Sequence, residues 1–248
     1  PKTAAFRALN TEPAKSKVEV ERVKTQVAIL SDAWDMDRVA KDAAPDLYAL
    51  NLEESKNAIV RKFTATVING DTNVDENGFD GLDKALKGSA TEFSSETSLD
   101  AIDQATALAW CEEMDTVISA LLRDPDALMV SPRMKVKINA ICRVLGLATT
   151  TPDTAGRQVS SYNGIPIQTM KDGSLTTNDV YAVCFGINEF HGITLSGGNA
   201  IAVHLPDWEK PGAVKTGDAE FVCGCAPKQT KAAGVLRAKA VASKASSK

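Results

Sequence analysis

The chain has 248 residues, of which 44% are hydrophobic, 24% charged and 5% aromatic, with a formal charge of −4. Those values describe a folded chain with room for one large domain or two modest ones and exclude a disordered one. No run of roughly 18 apolar residues could cross a bilayer, and no basic–apolar–small leader opens the chain.

Residues 1–17 are rich in Ala, Lys, Thr and Pro and show no core-forming period. From Lys17 the text alternates as Val18-Glu19-Val20-Glu21, then condenses into Val27-Ala28-Ile29-Leu30. This predicts an extended strand, exposed first and buried later, whose basic start suits an arm leaving its own domain. The opening Pro1, in place of Met, is expected of a processed or trimmed product.

Asp46 to Ile68 reads as a long helix. Pro45 precedes it, Leu47, Leu50, Ile59, Phe63 and Val67 fall mostly on one stripe, and Asn69-Gly70 stops it. At a rise of about 1.5 Å per residue it would be roughly 34 Å long. Residues 71–100 are turn-rich, with a short amphipathic piece at 81–86. A second helix is expected from about Asp100 to Leu122. Ala127-Leu128-Met129-Val130 reads as a compact buried strand. Ser131-Pro132 then supplies an N-cap and a proline at the first helical position, opening a third helix to about Leu145.

Thr149 to Val159 reads as a loop. Strands are expected at Gly164–Ile167, Val180–Phe185 and Gly192–Leu195, and Gly197-Gly198 as a turn. Residues 221–241 are β-compatible, and Ala242 to Lys248 read as a frayed tail. This order describes an α+β or mixed α/β domain. Charge is unevenly spread along it: residues 1–30 sum to +3, residues 31–220 to −13 and residues 221–248 to +6. Basic ends and an acidic body can steer neighbouring copies together. The tail lacks the interleaved aromatics of a nucleic-acid binder.

Signatures of chemistry are sparse. Five cysteines, Cys111, Cys142, Cys184, Cys223 and Cys225, form an odd set that suits a reducing cytoplasm. The two histidines, His191 and His204, are the only ones around which a His-dependent site could be built. Asp71-x-Asn73-x-Asp75 imitates the start of a calcium loop, but Glu76 and Leu82 stand where Gly and Glu are required. It reads as a turn. Cys223-Gly224-Cys225 would place two thiols on one strand face without further zinc ligands at structural spacing, and reads as buried small cysteines. His191, with Glu189 nearby, lacks a marked nucleophile. No Gly-x-Ser-x-Gly elbow, Walker loop or dinucleotide fingerprint is present. Neither a catalytic residue, a metal nor a cofactor is expected.

The ordered set of segments resembles the major capsid proteins of tailed bacteriophages, the Hong Kong 97-like fold. The resemblance rests on the basic arm ending at Val27–Leu30 and on Asp35-Met36-Asp37-Arg38-Val39. It continues through the long helix closing on Val67-Ile68-Asn69-Gly70-Asp71, Gly78-Phe79-Asp80-Gly81-Leu82, Ala127–Arg133 and Gly164-Ile165-Pro166-Ile167, across about residues 1–240. It implies an α+β capsid fold with residues 1–30 as an extended loop and 31–98 as a peripheral domain with a spine helix at about 46–68. Residues 99–214 would be an axial domain, and 215–248 the return strand of the peripheral domain with a basic tail. Hexamers and pentamers of the one chain would close into an icosahedral shell around double-stranded DNA packaged without sequence specificity. A portal and scaffolding or decoration proteins would be further partners, and no membrane. The location implied is the virion, after assembly in the host bacterial cytoplasm. Lys15, Lys17, Arg22 and Lys24 are the candidate intersubunit contacts. Family subunits usually carry an arm before the loop, so residues ahead of this one are expected. Two other readings stay open: an encapsulin-like bacterial compartment holding enzyme cargo, and a small cytosolic enzyme using His191 as its base.

Overall fold

The computed structural model describes residues 6–9, 11–12, 25–152, 156–171, 173–195 and 200–239. The candidate contacts Lys15, Lys17, Arg22 and Lys24 lie outside the described residues, as do the Gly197-Gly198 turn, the expected tail 242–248 and the expected strand's start at 17–24. The part of that strand that is described, β1 (Ala28–Asp37), runs past the expected end at Leu30. The reason lies in a period-two pattern that continues through few apolar residues. Ala28, Trp34 and Met36 are buried, while Ile29, Ser31, Ala33 and Asp35 are exposed between them.

β1 pairs antiparallel along its whole length with β10 (Val214–Pro227), from Ala28 opposite Cys223 to Asp37 opposite Val214. β8 (Phe190–Thr194) and β9 (Ile201–His204) take different stretches of β10 and complete a four-stranded sheet. Asp37 then caps α1 (Arg38–Ala43), accepting the Val39 N–H at 2.7 Å. α2 (Pro45–Asn69) follows as a 25-residue helix, within a residue of its expected bounds at both ends. Burial rather than propensity holds it. Ser55, Ile59, Val67 and Ile68 are buried on the four-stranded sheet, with Ile59 against Trp34 and Ala219.

The chain turns back through residues 71–80, and the Gly81 N–H donates to the Gly70 carbonyl at 2.8 Å. A Cβ on Gly81 would sit 2.6 Å from the Ile68 and Thr66 carbonyl oxygens, so only glycine permits this approach. After α3 (Leu82–Leu86) and β2 (Glu92–Ser94) comes α4 (Gln104–Ala120). It is shorter than the expected 100–122 because Asp103 caps it, accepting the Thr106 N–H at 2.7 Å.

All four residues of β3 (Ala127–Val130) are buried, and Ser131 caps α5 (Pro132–Leu145) through the Met134 N–H at 3.2 Å, both as expected. Thr149–Val159 is not simply a loop. It contains β4 (Thr150–Pro152) and the start of β5 (Gln158–Tyr162), polar strands whose backbones pair with each other. With β6 (Ile165–Thr169), β7 (Val180–Val183) and β11 (Ala233–Arg237) they form a seven-stranded sheet in the order β2-β11-β7-β3-β6-β5-β4.

α4 and α5 lie side by side on this sheet, α4 over β11 and α5 over β5 and β6, around a core that includes Trp110, Met114, Met134, Ile138 and Tyr162. A second core, with Ile68, Phe79, Tyr181, Val235 and Cys223, joins the two sheets. Pairing crosses the sequence divisions at 98/99 and 214/215. β8 and β9 belong with β10, whereas β11 sits inside the larger sheet. No described helix is long and apolar enough to cross a membrane.

Candidate functional site

One constrained surface lies where the chain enters β1. The Gln26 side chain donates to the Glu76 carbonyl at 2.9 Å, fixing the segment before the strand to the 71–80 turn. Beneath it, a Cβ on Gly224 would lie 2.9 Å from the Gln26 carbonyl oxygen. Backbone rather than a flexible side chain is the obstacle, so β10 needs glycine there. Beside this entry, a groove of about 450 Å³ runs between Ile29, Lys62, Thr66, Asn69 and Val74. Its far wall is braced by Asn69 Nδ2, which donates to the Ser174 carbonyl at 2.5 Å.

The 71–80 turn is closed by its own charges. Asp71 accepts the Asn73 N–H at 2.9 Å and Lys84 Nζ at 2.7 Å, and Lys84 also reaches Asp80 at 2.8 Å. The Lys84 hydrogen bond, with the backbone bond from Asn73, holds the Asp71 carboxyl below its usual value. An ammonium thus sits where a calcium loop would gather its ion. Among the described residues, no group of three or more His, Cys, Asp or Glu side chains could hold a metal.

Cys223 and Cys225 are buried in the core between the sheets. Burial pushes their thiols up to about 11 and about 12, so both are protonated at neutral pH. Cys225 Sγ donates to the Asp80 carbonyl at 3.3 Å.

His191 lies on β8 opposite Ala226. Its Nδ1 approaches the backbone carbonyl of Glu189 at 3.4 Å. The Glu189 carboxylate goes elsewhere: it binds Arg123 at 2.7 and 3.0 Å, and Arg123 also holds Asp126 at 2.6 and 2.8 Å and the Phe185 carbonyl at 3.1 Å. The carboxylate that would orient a histidine base instead ties two loops together. His204 is exposed on β9.

Arg237 lies in the stretch 221–241 that the sequence marks only as β-compatible, and it is the centre of a charge cluster. Its Nε binds Glu92 at 2.8 Å, and its Nη1 binds Asp83 and lies 3.6 Å from Asp179. Tyr181 Oη donates to Asp83 at 2.9 Å, and Asp179 accepts the Ala238 N–H at 2.7 Å. Burial would raise the Asp83 carboxyl, but hydrogen bonds from Arg237 and Tyr181 outweigh it and hold Asp83 below its usual value. Glu92 is held down by the Gly88 N–H and by Arg237. The cluster joins α3, β2, β7 and β11. No local pattern marks these residues, because their sequence separations range up to 154.

No family model and no curated protein matches the chain. Solved structures do. An encapsulin complex from Synechococcus elongatus superposes with a TM-score of 0.65 at 12% identity, covering 85% of this chain and 73% of that one. The capsid of a native GTA particle gives 0.63 at 15% identity, over 96% of this chain and 80% of the other. A structure of Gordonia phage Cozz gives 0.62 at 14% identity, over 97% and 79%. The chain has the Hong Kong 97-like fold of phage, GTA and encapsulin shells, with mixed helix and sheet, as the sequence resemblance implied.

Proposed function

We propose that the chain is the major capsid protein of a tailed bacteriophage, a structural subunit rather than an enzyme. It assembles with itself as hexamers and pentamers into an icosahedral shell around double-stranded DNA. The likeness to the GTA capsid over 96% of the chain supports this most directly. In this reading α2 is the spine helix and, with the four-stranded sheet, forms the peripheral region. The seven-stranded sheet with α4 and α5 forms the axial region, which corresponds to the expected limits at 31–98, 99–214 and 215–248 except that β2 and β11 pair in the larger sheet and β8 and β9 in the smaller.

Residues 1–30 are the extended loop, and Lys15, Lys17, Arg22 and Lys24 on it meet the acidic body of the adjacent subunit. The charge division, +3 for residues 1–30 against −13 for residues 31–220, favours that contact. A portal and scaffolding or decoration proteins complete a virion assembled in the bacterial cytoplasm. Reversing Lys15, Lys17 and Lys24 to Glu should lower shell yield at about 0.15 M salt, where screening extends only about 8 Å. A normal yield would remove the loop contact from the account.

The encapsulin likeness, at a TM-score of 0.65, favours a second reading as a protein-only compartment. The 260/280 nm absorbance ratio of nuclease-treated particles separates the two. Protected nucleic acid identifies a genome-packaging capsid, whereas particles holding protein cargo alone identify a compartment.

A further inference from the structure

The two helices on the larger sheet carry opposite charge. α4 contains Glu112, Glu113 and Asp115 and no Lys or Arg, whereas α5 contains Arg133, Lys135, Lys137 and Arg143 and no Asp or Glu. Glu113 is used internally, accepting from Ser95, Thr97 and the Glu96 N–H at 2.5 to 3.0 Å. Asp115 is exposed but also bound internally, accepting from Tyr162 Oη at 2.9 Å and Asn163 Nδ2 at 3.3 Å, whereas Glu112 is exposed one turn before Thr116. Among the described residues, no ion pair includes a cation of α5 or an acid of α4.

Each charged face also has an exposed apolar residue on the same stripe. Leu108, 49% exposed, lies one and two turns before Glu112 and Asp115, and Val136, 68% exposed, lies one turn after Arg133 and two before Arg143. An exposed apolar residue flanked by charge of one sign on each helix suits a contact between complementary faces.

Placement completes the argument. α4 packs over β11 and α5 over β5 and β6, with β7 and β3 between them in the sheet. One molecule therefore offers its acidic face and its basic face from different halves of one layer. We propose that the α4 face of one copy docks on the α5 face of the next, a head-to-tail contact that closes into rings. The occupant of each face is a second copy of this chain. This rests on the shell reading above and adds the contact that builds its capsomers.

The test uses two full-length variants, checked for native circular dichroism: Glu112→Lys/Thr116→Lys, which makes the α4 face basic at Glu112 and at exposed Thr116 one turn on, and Arg133→Glu/Arg143→Glu, which makes the α5 face acidic. In sedimentation velocity at about 0.15 M salt, each alone should lose at least about tenfold of the assembled fraction, since like charges then face each other. Mixed in equal amounts they should assemble again. Because the two must alternate, only even-numbered rings should form, visible as hexamers without pentamers.

Wild-type assembly by either folded variant alone, or no recovery on mixing, would overturn the proposal. So would an α5 variant that assembles normally but loses bound DNA, which would assign that face to nucleic acid. If the wild-type chain itself stays monomeric, the shell reading fails and this contact with it.

Discussion

At Arg237 a single guanidinium holds carboxylates from α3 and β2 beside Tyr181 of β7. Replacing it with Met leaves Asp83 and Glu92 without their cation. Asp83 is 44% exposed, so water screens part of the loss. Arg237→Met should cost about 1–3 kcal/mol, less than the about 3–5 kcal/mol of a fully buried pair, read from the denaturant midpoint. The pH dependence has a definite sign. Asp83 and Glu92 are held below ordinary values of 3.8 and 4.5, so the native state binds their protons less readily than the unfolded state. Their contribution is complete above about pH 4.5 and is lost as the pH falls through the lowered native values. Thermal midpoints measured from about pH 6 to about pH 3 should fall less steeply in Arg237→Met than in the wild type, and equal slopes would show that the cluster is not the acid-sensitive element. At Gly224, an added Cβ at 2.9 Å from the Gln26 carbonyl must displace backbone. Gly224→Ala should lower stability by about 1–3 kcal/mol, as overpacking does, measured by the same unfolding curve.

Among the elements, α5 shows a local signal that tertiary structure leaves intact. Ser131 caps the helix and Pro132 begins it. Ser131→Ala should therefore cost about 1 kcal/mol, with little change in the denaturant slope. The run Ala127–Val130 was equally legible, because a strand buried on both faces must be apolar throughout. α2 was legible from its period and its Asn69-Gly70 stop, though the sheet that buries Ile59 was not. β4 and β5 escaped because Thr, Ser and Gln dominate them and backbone pairing alone defines them. The later half of β1 escaped because its buried residues, Trp34 and Met36, stand among three aspartates. The Arg237 cluster and the Gln26–Glu76 bond could not be read at all, since each joins residues that only the fold brings together.

On the scale of the molecule, a single core joins two sheets while much apolar and charged surface stays uncovered. Val39, Leu50, Leu108 and Val136 are each about half exposed or more, and among the described residues no ion pair includes the opposed charges of α4 and α5. A subunit that completes its burial only against neighbours has this character, because its stability is shared with the assembly. Electron microscopy of the purified full-length assembly is the most direct test of the central claim, that this chain builds a closed shell. Closed particles with icosahedral symmetry, made of rings of this one chain, are the predicted result. A uniform population of monomers or small oligomers under assembly conditions would contradict it.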